Sequence, residues 1–205
     1  MKKLVITVII VSMLLCVPVF AENASFKFRG TEFGSPMSEV ITSAIDYELN
    51  KDDDFGTDDY KVDTDRFIIY DRTVGGHQCD VNYFLVDKQF ADGAYIFRED
   101  HTNYELYYSD YTDLLSKYIK KYGDPDEDQK KWIGDSIYKD KPDKYGMAVA
   151  VGDLQLYTKW EAEDGSIIQF RMAGDNFDVV IRIDYLCPGY DELKEQANDD
   201  SDDGI

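Results

Sequence analysis

Apolar residues recur along this chain with two different periods, and the switches between them mark its elements. Met37, Val40, Ile41, Ala44, Ile45 and Leu49 fall at i, i+3, i+4, i+7, i+8 and i+12, one stripe of an amphipathic helix. Ser35 is a good N-cap for it, and Pro36 suits the first helical position, where no backbone N–H is needed. A second stripe, Leu114, Leu115, Tyr118, Ile119 and Tyr122, predicts a helix over 109–123. Ser109 or Asp110 can cap its start, and Gly123 before Asp-Pro stops it.

Elsewhere the period falls to two. Residues 66–73, 77–86 and 94–99 read as strands, the middle one setting Cys79, Val81, Tyr83 and Leu85 on one face. Gly75-Gly76 and Asp92-Gly93 supply the hairpin turns. Beyond the second helix the order repeats with 152–162, 166–172 and 179–186. Leu154, Leu156, Thr158 and Trp160 alternate along the first of these. Residues 51–65 read as an acidic loop, and 125–145 as an irregular polar stretch. The predicted fold is α+β, two αβββ halves (22–108 and 109–190) with helices packed on antiparallel meander sheets. Trp160, Ile168, Phe170, Val179, Ile181 and Ile183 are expected in the core. Residues 52–65 and 198–205 are expected outside it, and 191–205 reads as an acidic, disordered tail.

The first 21 residues are set apart from this pattern. Lys2 and Lys3 precede an apolar run, and Val19 and Ala21 stand at the −3 and −1 positions of a secretory cleavage site. The expectation is a signal peptide cut after Ala21 and a secreted or extracytoplasmic protein. Lipid attachment at Cys16 is disfavoured because Leu15, not a small residue, precedes it. No other segment is apolar enough to span a membrane. The net charge of −20 argues against a nucleic-acid partner, which needs clustered Lys and Arg, and against docking on anionic lipid. With Cys16 removed, Cys79 and Cys187 remain. They can form a disulfide outside the cytoplasm or stay as two separate thiols.

Candidate chemistry is thin. Phe28 to Val40, FRGTEFGSPMSEV, has two glycines ahead of a helix. Their spacing is wrong for a phosphate loop, and Pro36 and Met37 stand where Lys and Ser/Thr are needed. His77 and His101 lie in no zinc-binding spacing. No Gly-x-Ser-x-Gly is present. Asp124, Asp126, Asp128 and Asp135 take positions 1, 3, 5 and 12 of a calcium-type loop, but Gln129 stands at the glycine position. No cofactor, metal site or catalytic residue is assigned. The sequence carries 16 Tyr, 11 Phe and 2 Trp, more aromatics than the inward positions require. Exposed tyrosines would make a binding surface, while strand propensity and core would also use them.

Phe28-Arg29-Gly30, Phe33-Gly34-Ser35-Pro36, Glu39-Val40, the helix end KKYGDP, Trp160 before DGSIIQF, and VVIRIDY resemble a group of uncharacterised secreted proteins of Gram-positive anaerobic bacteria. The helix-plus-meander order is similar, more remotely, to the outer-membrane assembly lipoprotein BamE and to the tandem repeat of β-lactamase inhibitory protein. Those proteins bind other proteins, so the resemblance implies a non-enzymatic binding module. The expected partner is an extracellular protein or cell-wall glycan. The alternatives are a small secreted hydrolase using two carboxylates and a structural envelope protein.

Overall fold

The computed structural model describes residues 24–52 and 54–202; the expected signal peptide, its cleavage site and Cys16 lie outside them. The chain is α+β. Helix α1 (Met37–Leu49) precedes strands β1 (Tyr60–Val62), β2 (Arg66–Val74), β3 (His77–Val86) and β4 (Gln89–Phe97). Helix α2 (Tyr104–Tyr122) precedes β5 (Glu127–Trp132), a short helix α3 (Tyr145–Ala150), β6 (Leu154–Glu161), β7 (Ile167–Asp175) and β8 (Asp178–Leu186). Helix α4 (Tyr190–Asp202) ends the described chain. All eight strands join one antiparallel sheet in the order β1-β2-β3-β4-β8-β7-β6-β5. Each half is thus a helix followed by a four-stranded meander, and the last strands of the two halves meet at the centre.

The expected strands are present, with additions and shifts that have physical causes. β1 and β5 form the two sheet edges and carry little apolar signal. In β5, EDQKKW, only Trp132 is apolar, so its period of two is invisible in hydropathy. Ion pairing and side-chain bonding to β6 hold it instead, through Lys159–Glu127 at 2.8 Å and Thr158 Oγ1 donating to Asp128 at 3.1 Å. Half of the calcium-type stretch, residues 127–132 of 124–135, is therefore a strand. The β3–β4 turn falls at Asp87-Lys88, both with positive φ (47° and 63°), not at Asp92-Gly93. Gly93 lies inside β4 for a different reason: a Cβ there would stand 2.2 Å from the Phe28 ring.

Helix α2 starts five residues before the expected Ser109, with the Asn103 side chain accepting from the Glu105 N–H. The expected boundary between halves at 108/109 thus falls inside it. Ser35 does not cap α1. Pro36 takes the cap position, and the Ser35 carbonyl instead accepts from the Phe90 N–H at 2.9 Å, stitching the helix entrance to β4. The tail expected to be disordered is helical through Asp202. Tyr190, Leu193 and Ala197 make a sparse i, i+3, i+7 stripe, and Asp191 and Glu192 suit the first turn electrostatically.

One face of the sheet carries the core. Phe67, Val81, Tyr83, Trp160, Ile168, Phe170, Ile181 and Ile183 are buried beneath α1, α2 and α3, while Val179 is half-buried at its margin. The acidic 52–65 segment is largely outside, but it pins itself down with Phe55, which is buried. None of the 16 tyrosines is exposed. The aromatic surplus is interior: Phe28 meets Tyr83, Tyr95 and Tyr185 at ring separations of 5.0, 4.9 and 5.3 Å. Several buried hydroxyls satisfy one another, Tyr185 donating to Tyr118 at 3.1 Å and Tyr111 bonding Thr158 at 3.0 Å, whereas the Tyr83 hydroxyl has no hydrogen-bond partner among the described residues. The aromatic count therefore gives no support to an exposed aromatic patch.

Candidate functional site

A concavity of about 380 Å³ lies between the C-terminal end of α1 and strand β2. Arg29, Tyr47, Lys51, Asp71, Arg72 and Thr73 are among its lining residues, and Tyr95 contributes from β4. Its construction begins at the Phe28-Arg29-Gly30-Thr31 turn. Arg29 and Gly30 have φ of 53° and 81°, and the Thr31 N–H bonds the Phe28 carbonyl at 3.0 Å. Two successive left-handed residues make a tight primed turn, and a non-glycine residue there is conformationally costly. The turn drives Phe28 into the core and carries the Arg29 side chain, only 5% exposed, into the space beside α1.

There Arg29 stacks on the Tyr47 ring at 4.2 Å and pairs with Glu48, which is 3% exposed. Glu48 also lies 3.6 Å from Arg72, and Arg72 reaches Asp52 at 3.3 Å and Asp59 at 3.5 Å. This network explains a departure from the expected helix stripe. Leu49, expected inside, is 44% exposed, and the buried line of α1 runs Val40, Ala44, Glu48. The carboxylate is drawn inward because two buried or half-buried guanidinium groups require it. Lys51 donates to the Tyr47 hydroxyl at 2.5 Å. Burial alone would push the Tyr47 phenol up, but this bond and the nearby Arg29 and Lys51 charges hold it below its ordinary value. Arg29 is incompletely satisfied: its Nε and Nη1 are buried without hydrogen-bond partners among the described residues.

A second charged group occupies the opposite face of the sheet, on the β4–β8 seam. Arg182 bridges Asp92 at 3.0 Å and Asp184, and Arg171 reaches Asp184 at 2.6 Å. Burial first, and then the Asp184 charge, push the Asp92 carboxyl up to about 7 against the pull of Arg182 and Arg171. Of this group Arg171 also lines a shallow concavity with Gln129, Lys131 and Tyr157, away from Asp92. A raised acid binds its proton more tightly in the folded state. Stability is therefore expected to fall as pH rises from about 4, the unfolded value, through about 7. Asp92→Asn should flatten that slope in urea titrations between these pH values and leave the protein at least as stable above pH 7. A wild-type slope unchanged in the variant would contradict the assignment.

The structure brings together two residues that sequence spacing kept apart. His77 Nε2 lies 3.0 Å from Asp113, and His101 Nε2 lies 2.6 Å from Asp110. Asp110 is also 3.8 Å from His77, so α2 gathers both histidines along its first half. Each ring nitrogen in these contacts is taken by a carboxylate, and no group of three potential ligands among the described residues could hold a metal ion.

Cys79 and Cys187 are both buried and both free, which corrects the disulfide alternative. Cys79 stands opposite Phe97, whereas the Cys187 N–H bonds the Ala91 carbonyl, six residues earlier on β4. At about 3.3 Å per residue this separation is far beyond disulfide reach. Burial pushes the Cys79 thiol up to about 12. Thiol titration of the chain without residues 1–21, in the absence of reductant, should therefore find two reactive groups after unfolding and almost none at Cys79 in the native protein. An unfolded, unreduced chain without free thiols would overturn this.

Arg29 lies in the FRG stretch whose glycine spacing is wrong for a phosphate loop, and its role depends on a turn conformation that sequence does not show. Glu48 was hidden because it occupies a position that hydropathy assigns to solvent. No family model, no curated protein and no solved structure matches this chain.

Proposed function

We propose that the chain is a secreted, non-enzymatic binding module, and that its ligand, part of an extracellular protein or cell-wall partner, enters the α1–β2 cleft. The observation that carries this reading is Arg29, a side chain 5% exposed with Nε and Nη1 unpartnered at the cleft wall. Buried donors without acceptors are costly, and ligand sites are where such cost is retained. The backbone strain at Arg29 points the same way.

The hydrolase alternative needs two carboxylates facing each other in a cleft, one of them held protonated. Here the cleft's Glu48 and Asp52 are tied into ion pairs with Arg29 and Arg72. The carboxyl raised toward neutrality, Asp92, is on the other face under Arg182. Export follows from the composition of residues 1–21 alone.

The test uses the chain without residues 1–21, immobilised and exposed to cell-surface extract and to purified peptidoglycan and polysaccharide fragments. Saturable retention of an unmodified ligand, lost in Lys51→Ala, is the expected result. Turnover of any fragment, abolished by a single Asp or Glu substitution, would overturn the reading.

A further inference from the structure

The cleft is balanced in charge although the protein is not. Arg29, Lys51 and Arg72 face Glu48, Asp52 and Asp71 across it, while the whole chain carries −20. Glu48 pairs with Arg29 and Arg72, Asp52 pairs with Arg72, and Lys51 at the surface bonds the Tyr47 hydroxyl without an ion pair to any described residue. Two groups inside this arrangement keep unmet bonding capacity. Arg29 keeps one N–H on Nε and two on Nη1 without acceptors. Asp71, exposed on the rim, makes no ion pair with any described residue.

From this we infer that the cleft binds a small zwitterion of the amino-acid type, its carboxylate toward Arg29 and its ammonium toward Asp71. The inference rests on the binding-module reading and names the ligand class. A site with a buried unpaired donor and a separate unpaired carboxylate is complementary to a ligand with both signs, not to either alone. A simple anion would have to approach against the field of a strongly acidic protein, whereas a zwitterion carries no net charge to repel. The volume of about 380 Å³ sits at the small end of ligand sites, the scale of a single amino acid or a dipeptide. The Tyr47 ring covers one face of the Arg29 guanidinium, so the carboxylate meets it edge-on, the approach that planar pairing favours.

The experiment titrates the protein with alanine and alanyl-alanine, and separately with acetate, methylammonium and inorganic phosphate, following amide shifts of α1 and β2 by NMR. The zwitterions should bind at about millimolar or tighter, with acetate and methylammonium each at least about tenfold weaker. Asp71→Asn removes an exposed carboxylate without touching the buried network. It should weaken the zwitterions about tenfold while leaving acetate unchanged. Lys51→Ala, also at the surface, serves as a second variant, with far-UV circular dichroism confirming that both are folded. Phosphate or acetate binding as tightly as alanine would overturn the inference, as would the absence of any shift up to about 10 mM ligand. If every small ligand fails while a surface partner is still retained, this inference alone falls. If alanyl-alanine returns as free alanine, the non-enzymatic reading falls and the site remains.

Discussion

Replacing Gly93 by alanine is expected to destabilise the protein by about 3–5 kcal/mol, the range for emptying a buried phenylalanine site. The added methyl would stand 2.2 Å from two ring atoms of Phe28 and 2.8 Å from its Cβ. Phe28 cannot step aside. It is fully buried, ringed by Tyr83, Phe90, Tyr95 and Tyr185, and its backbone is fixed by the turn that follows. The ring must leave the core or the strand must shift. A double-mutant cycle separates this from a general cost of altering β4. Phe28→Ala removes the two ring contacts and leaves only the Cβ contact at 2.8 Å, so Gly93→Ala should cost clearly less in that background. Full additivity in chemical denaturation would mean that the glycine serves some other purpose. Because Phe28 and Arg29 are consecutive, the same substitution should also disturb the cleft.

The second large effect is expected at Glu48. Glu48→Ala leaves the Arg29 guanidinium buried with no counter-charge and removes a neighbour of Arg72. Breaking a buried pair from one side costs about 3–5 kcal/mol, far more than the pair contributes over a well-packed apolar substitute. The double variant Arg29→Met with Glu48→Leu should recover most of that loss, with any amino-acid binding abolished. Equal destabilisation by single and double variants would show that Glu48 acts through packing rather than charge. The contrast with Lys27–Glu32 is instructive. That ion pair is more than half exposed at both side chains, and its removal should change stability by less than about 1 kcal/mol.

Much of the scaffold could be read from the chain because apolar residues signal it. The stripes on α1 and α2 and the alternation in β3, β6 and β8 are strong, and those elements lie where the pattern puts them. The misses share one cause. β5, α4 and the start of α2 are held by backbone ladders, caps and charged side chains, none of which alters hydropathy periodicity. Gly93 illustrates a subtler failure. Asp-Gly is a sound turn signal, but glycine is equally the residue that admits a ring against a strand, and sequence does not distinguish the two. The cleft was the least legible part. Its buried acid looks like a surface residue, its buried base lies in a loop, and they meet only once the Phe28–Thr31 turn has formed.

The strand order has a consequence for how the chain assembles. Each pairing in the sheet joins strands adjacent in sequence, except that of β4 with β8. Each half can therefore zip up through local hairpins, and only residues 92–96 against 182–186 must wait for the whole chain. Until β8 arrives, β4 is an open strand edge, a template for the β8 of another molecule and so a route to exchanged dimers. Asp92 sits on that edge. The carboxylate that is costly once the seam has closed is an inward-pointing charge that discourages the wrong strand before it closes. Asp92→Asn thus exchanges fidelity of assembly for native stability, and its signature would be aggregates from non-native edge pairing on refolding at high protein concentration.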